Sequence, residues 1–280
     1  MVLANPAFDA GAPPTSAREH DAPAARRSAD LTSARFTRLP GTAAEAQAIG
    51  AIMPGVRVLT DAQATEATIK QLSRPTVLHI ATHGFFLADQ KKEEGARAGV
   101  VAAAGGAQPA PRGENPLLRS GLALAGANAL SGGAGEDGIL TAYEAAGLDL
   151  WGTRLVVLSA CETGVGEVQN GDGVYGLRRA LVLAGSESQV MSLWQVSDEA
   201  TRDFMVSYYK RLTAGDGRAE ALRRVQLETL KAGGPAAADR QRGLLDQVKR
   251  KADRTHPFYW AAFIQSGDWR PMTSPPAGAK

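Results

Sequence analysis

"TVLHIATHG", residues 76–84, decides the fold. Its run from Val77 to Ala81 is apolar on both faces of a pleat apart from His79, and it breaks at Thr82-His83-Gly84. A strand apolar on both faces belongs to a mainly parallel sheet covered by helices on both sides. "RLVVLSAC", residues 154–161, repeats the pattern and ends in Cys161, the only cysteine of the chain. "SQVMSLW", residues 188–194, is a third such strand. In open α/β sheets, sites form beyond the carboxyl ends of the strands. His83 and Cys161 both fall there, and neighbouring strands lie only about 4.8 Å apart.

Between and around these runs the pattern alternates. Residues 42–53 predict a helix with Thr42 and Glu45 as a capping box. Residues 56–59 predict a strand, and 61–72 a helix capped by Asp61. Helices are expected over 173–185, closed by Gly185, over 198–212, capped by Asp198, and over roughly 218–231 and 240–252. A final apolar segment spans 258–267.

Composition sets the organisation. Residues 1–7 read as a first strand, at the start of a domain cut from a longer chain. Residues 8–35 are rich in Ala, Pro, Ser and Arg and read as a flexible segment, because so little apolar surface cannot offset the entropy of ordering. Residues 88–114 read as a long mobile insertion, and 271–280 as a disordered tail. With a net charge of only +2 there is no nucleic-acid footprint. No signal peptide is legible. No apolar run reaches the ~20 residues needed to cross a bilayer. A single cysteine suits a reducing compartment, so the expected setting is cytoplasmic, with no membrane partner.

The chemistry implied is nucleophilic. A thiol is mostly protonated at neutral pH, and an imidazole beside it can take its proton and later return it to a leaving amine. An acyl intermediate needs an oxyanion hole, for which the N–H groups of Gly84 and Cys161 are the expected donors. Neither a cofactor nor a metal is expected. His79 and His83 are about 13 Å apart on a strand, too far to share an ion. His79 reads as a core residue, His20 as solvated and His256 as structural. Plainer readings stay open for each residue: Cys161 as a small core hydrophobe and His83 as a structural histidine. Asp172 could orient His83, hold the cysteine loop or touch substrate, but it could equally cap the 173–185 helix. The glycines of "GVGEVQNG", residues 164–171, match neither a dinucleotide nor a Walker pattern, and no G-x-S-x-G elbow exists.

Five blocks now stand in order: "LHIATHGFF", "NPLLRSGLALAGAN", the run from Asp137 to Gly185 around "LSACETG", "SLWQVSDEATRDFMVSYYKRL" and "HPFYWAAFIQSGDW". Together they resemble the CHAT family, caspase-like cysteine peptidase domains often found behind tetratricopeptide repeats. The resemblance spans 36–270, with "VLANP" similar to the family's first strand. It implies a caspase-like α/β fold and a cysteine endopeptidase of protein substrates. It also implies His83 and Cys161 as the catalytic dyad and Gly84 in the oxyanion hole. In the caspase-like layout Trp194 would wall the specificity pocket and Asp198 would lie at its base, beside Asp172. Asp198 also reads as a helix cap. Only about 28 residues separate Cys161 from Gln189, so a processing linker between subunits has no room there. No tetratricopeptide pattern is present, so a repeat sensor would lie in another part of a longer chain or in a separate activator protein. The alternative function is a catalytically silent pseudo-peptidase that binds a partner peptide in the same groove.

Overall fold

The computed structural model describes residues 1–11, 27–31, 34–87, 114–133, 135–159, 161–162, 172–194, 198–232 and 256–273. In chain order the elements are β1 (Val2–Pro6), α1 (Pro40–Ile52), β2 (Val58–Asp61), α2 (Glu66–Lys70), β3 (Val77–Ala81) and β4 (His83–Phe86). Then follow β5 (Ser120–Ala123), β6 (Ile139–Thr141), α3 (Ala142–Ala145), β7 (Leu155–Leu158), β8 (Cys161–Glu162) and α4 (Asp172–Leu183). Last come β9 (Ser188–Ser192), α5 (Asp198–Thr213), α6 (Arg218–Ala232), α7 (Pro257–Trp260) and β10 (Phe263–Gly267).

Six strands form one sheet in the order β10-β9-β7-β3-β1-β2, parallel except for β10. Strand alternation divides its side chains between two cores. Val2, Ala4, Val77, Ala81, Leu155, Val157 and Val190 pack with Ile49 of α1 and with Met205 and Tyr208 of α5. Leu3, Leu78, Ile80, Val156, Leu158 and Met191 pack on the other face with Ile69 of α2 and Leu177 and Leu181 of α4. Both faces are therefore buried. This is the mainly parallel α/β sheet, covered on both sides, that the apolar runs and the caspase-like resemblance imply.

A second sheet, β6-β5-β4-β8, continues from the first. Only Thr82 separates β3 from β4, and only two residues separate β7 from β8. The parallel register carries across the break. Val77 pairs with Leu155 and Ile80 with Leu158 in the first sheet, and His83 pairs with Cys161 in the second at the same offset.

Two helix starts differ from expectation. Pro40 occupies the first turn of α1, so the helix begins before Thr42 and no side chain caps it. Thr42 instead receives Asn5 N–H at 2.9 Å, and Glu45 turns into the core. α2 is short and capped by Thr65, whose Oγ1 accepts from Thr68 N–H at 3.1 Å. Asp61 ends β2 with φ +54°, a conformation that cannot open a helix.

Within segment 8–35, Phe8 and Leu31 are buried in a third core with Phe36 and Phe85, since large apolar side chains gain more from burial than their ordering costs. Met272, at the start of the 271–280 tail, packs on the α1 and α5 side of the sheet, and its carbonyl accepts from Arg154. Residues 12–26 with His20, residues 88–113 of the insertion, the expected helix 240–252 and residues 274–280 lie outside the described residues.

Candidate active site

His83 opens β4 and Cys161 opens β8, directly opposite each other in parallel register. The bend that brings β4 out of the first sheet is held at Thr82, whose Oγ1 donates to Ala123 O at 2.5 Å. Gly84 lies between two partner strands, opposite Glu162 on one side and Leu122 on the other.

The imidazole of His83 is 8% exposed. Its Nε2 lies 2.7 Å from the carbonyl of Thr37. A carbonyl only accepts, so Nε2 carries the proton, and the lone pair of the neutral ring is on Nδ1. Phe8 and Phe36 flank the ring, with centroids 5.2 and 5.9 Å away. Asn128 fixes both phenylalanine backbones. Its N–H donates to Phe8 O at 2.9 Å, its Oδ1 accepts from Phe36 N–H at 2.9 Å, and its Nδ2 donates to Phe36 O at 2.8 Å. Tautomer and ring plane are thus set by residues far away in sequence.

Beneath the two strand ends lies a buried polar cluster. His79 on β3 has Nε2 3.2 Å from Glu45 Oε1 and Nδ1 3.0 Å from the hydroxyl of Tyr209 on α5. Ser159, two residues before Cys161, donates its hydroxyl to Glu45 Oε2 at 3.2 Å. His79 is a core residue, as its mid-strand position implies. His256 caps the turn Pro257–Trp260, where its Nδ1 accepts from Phe258 N–H at 3.2 Å.

The remaining candidates are placed as follows. Asp172 is the first residue of α4 and Asp198 the first of α5, positions where a carboxylate favours the helix dipole. Trp194 follows β9, half-buried. Its Nε1 donates to Phe258 O at 3.0 Å and its ring stacks on Phe258 at 6.4 Å. Three residues beside His83 escaped the sequence reading: Thr37, Phe8 and Phe36. A backbone carbonyl carries no residue-type signal. The two phenylalanines do stand out, as the only aromatic residues among Phe, Trp and Tyr between positions 8 and 36.

Two further features lie apart from this site. The carboxylates of Glu66, Glu136 and Glu144 converge within 4.8 Å of one another. The ammonium of Lys70 already sits among them, at 2.7, 2.7 and 2.9 Å. A cleft of about 470 Å³ lined by Trp151, Glu187, Asp268 and Trp269 opens where β7 and β9 begin, the sheet edge opposite His83. Among the described residues no helix is long and apolar enough to cross a membrane.

A family model described as the CHAT domain matches residues 1–268. No curated protein matches the chain.

Proposed function

The chain belongs to the CHAT domain family, which is caspase-like and peptidase-related, and from that premise we propose that it is a cysteine endopeptidase acting on a protein substrate. The observation that supports this reading is the in-register pairing of His83 with Cys161 at the carboxyl ends of two central strands. In-register positions on adjacent parallel strands have backbones about 4.8 Å apart and side chains on the same face, a spacing from which a thiol and an imidazole can come within hydrogen-bond reach.

The reaction follows from that pair. Cys161 gives its proton to Nδ1 of His83, and the thiolate attacks the scissile carbonyl carbon. The C–N bond breaks as His83 returns the proton to the departing amine. Water then attacks the thioester with His83 as base, releasing the acid and restoring the thiol. The N–H groups of Gly84 and Cys161 receive the oxyanion in both halves. Thr37 O supports the imidazole throughout by accepting from Nε2–H. Asp172, Asp198 and Trp194 make up the specificity pocket in this reading, and a carboxylate there favours Lys or Arg before the scissile bond. The lone thiol must stay reduced, which fits a cytoplasmic setting. A tetratricopeptide-repeat region or a separate activator protein completes the proposal as the source of the activating signal.

The test compares new N-termini in a proteome treated with wild type, Cys161→Ala or His83→Ala, alongside iodoacetamide labelling of Cys161. The enzyme reading expects cleavage by wild type alone and labelling slowed by His83→Ala. Cleavage by a folded Cys161→Ala protein overturns it. Reactive Cys161 with no cleavage of any protein favours the silent peptide-binding alternative. A peptide library showing an acidic preference removes the basic-residue reading of the pocket.

A further inference from the structure

We propose that Phe8 and Phe36 are positioning residues for the dyad, whose ring faces stabilise the imidazolium form of His83 and so keep Cys161 poised as a thiolate before substrate arrives. The inference rests on the dyad reading above.

Three rings close a triangle. Phe8 to His83 is 5.2 Å, Phe36 to His83 is 5.9 Å, and Phe8 to Phe36 is 5.9 Å, with tilts of 33–39°. Both phenylalanines are buried, Phe8 completely. A cation within about 6 Å of a ring centroid is attracted by the π face. Burial alone works the other way, because an apolar wall strips water from the charged form. An aliphatic cage would therefore disfavour the imidazolium. Aromatic walls, together with the Thr37 carbonyl at 2.7 Å on Nε2, return part of what desolvation removes. The proton concerned leaves the thiol sulfur and joins Nδ1, the face of the ring not committed to Thr37.

The cage is built rather than incidental. Asn128 holds the backbones of both phenylalanines by the three hydrogen bonds given above. Several charged groups near the cage have partners of their own. Asp9, beside Phe8, accepts from Asn128 Nδ2 at 2.8 Å. Arg35 bonds the carbonyl of Ala34, and Arg38 pairs with Asp61. β5 contributes no charged group, β8 contributes Cys161 and Glu162, and α4, which packs on β4, contributes Asp172, Arg178 and Arg179.

The experiment is the pH dependence of iodoacetamide labelling, read on the chain's single cysteine. Phe8→Leu and Phe36→Leu keep apolar bulk and remove the π face. Each is expected to move the labelling midpoint up by about half a pH unit, roughly threefold in thiolate population at fixed pH, with the alkaline plateau unchanged. A purely structural role would lower the plateau or the melting temperature and leave the midpoint in place. If a leucine variant fails to fold, fluorinated phenylalanine at position 8 or 36 withdraws density from the ring face at nearly constant shape. The midpoint should then climb with each added fluorine. An unmoved midpoint in folded leucine and fluorinated variants overturns the inference. His83→Ala separates the two levels. If it leaves the wild-type midpoint unchanged, the dyad reading itself falls. If it shifts the midpoint while the ring variants do not, only the cage falls.

Discussion

His79 Nε2 lies 3.2 Å from Glu45 Oε1 at a point where neither side chain reaches water, with exposures of 0% and 1%. Glu45 comes from α1 and His79 from β3. Tyr209 of α5 and Ser159 after β7 complete the cluster. Three elements and the link from β7 to β8 are thus tied together directly beneath the strand ends that carry His83 and Cys161.

Losses within such a cluster should not add. A single Glu45→Leu or His79→Leu strands a buried partner and should cost about 3–5 kcal/mol. The double variant should cost less than the sum of the singles, because neither side is then left uncompensated. Urea unfolding of the four proteins measures this. Simple additivity would show that the contact carries no coupling.

Lys70 and its three carboxylates make stability depend on pH. Burial pushes Glu66 up to about 8, against the pull of Lys70. Burial would lower the Lys70 ammonium, but the hydrogen bonds it donates to Glu136, Glu66 and Glu144 outweigh that and raise the group. The unfolded Glu66 titrates near 4.5, so between about 4.5 and 8 the folded state holds a proton that the unfolded state has lost. Stability from this group is complete below 4.5 and drains away as pH rises towards 8. Glu66→Gln should flatten that fall. Melting temperatures at pH 5 and pH 8 should converge in the variant relative to wild type, and an unchanged difference would contradict the argument.

Arg218 should be among the least replaceable surface-derived charges. It is 1% exposed and lies 3.3 Å from Glu187 and 3.1 Å from Asp268. It also donates to the carbonyls of Arg154 and Arg270 at 2.6 and 2.9 Å. Arg218→Met leaves two carboxylates and two carbonyls short of a donor and should cost about 3–5 kcal/mol. Arg224→Met, on the same helix but removing a solvent-exposed pair with Glu220, should cost under about 1 kcal/mol. Chemical denaturation of the two variants checks the contrast, and equal losses would refute it.

Two glycines after β5 should respond differently to alanine. Gly126 has φ +87° and a Cβ there would sit 1.8 Å from Ser131 O, while its N–H holds the carbonyl of Ala7 at 3.0 Å. Gly133 has φ +83° but nothing within 4 Å of its Cβ. Gly133→Ala should cost only the backbone strain, about 1 kcal/mol. Gly126→Ala adds a clash in the loop that seats Phe8 and should cost over about 3 kcal/mol and slow Cys161 labelling. Similar melting temperatures for the two would sink the distinction.

The amino-acid sequence by itself determined the layered sheet. Runs such as Val77–Ala81 and Leu155–Leu158 are apolar at both alternating positions, so both faces had to be covered, and only helices were available to cover them. It also placed His83 and Cys161 each directly after such a run, at the strand ends where a site is expected. Local rules failed where distant residues competed. Glu45 was expected to reach back to the start of its helix. It turns inward because His79 and Ser159 offer it partners there. Asp61 lost its capping role to Thr65 because it ends β2 with a positive φ, and α2 begins only at Glu66. The direct opposition of His83 and Cys161 required the β3–β7 register, a pairing of residues 78 positions apart. The support of His83 by Thr37 O, Phe8 and Phe36 has no counterpart in residue spacing at all. A backbone carbonyl looks alike at every position, and an isolated phenylalanine in an alanine- and proline-rich segment reads as solvent-exposed until the fold supplies a buried ring for it to pack against. Burial and hydrogen-bond satisfaction are properties of the assembled chain, so only the tertiary structure could decide them.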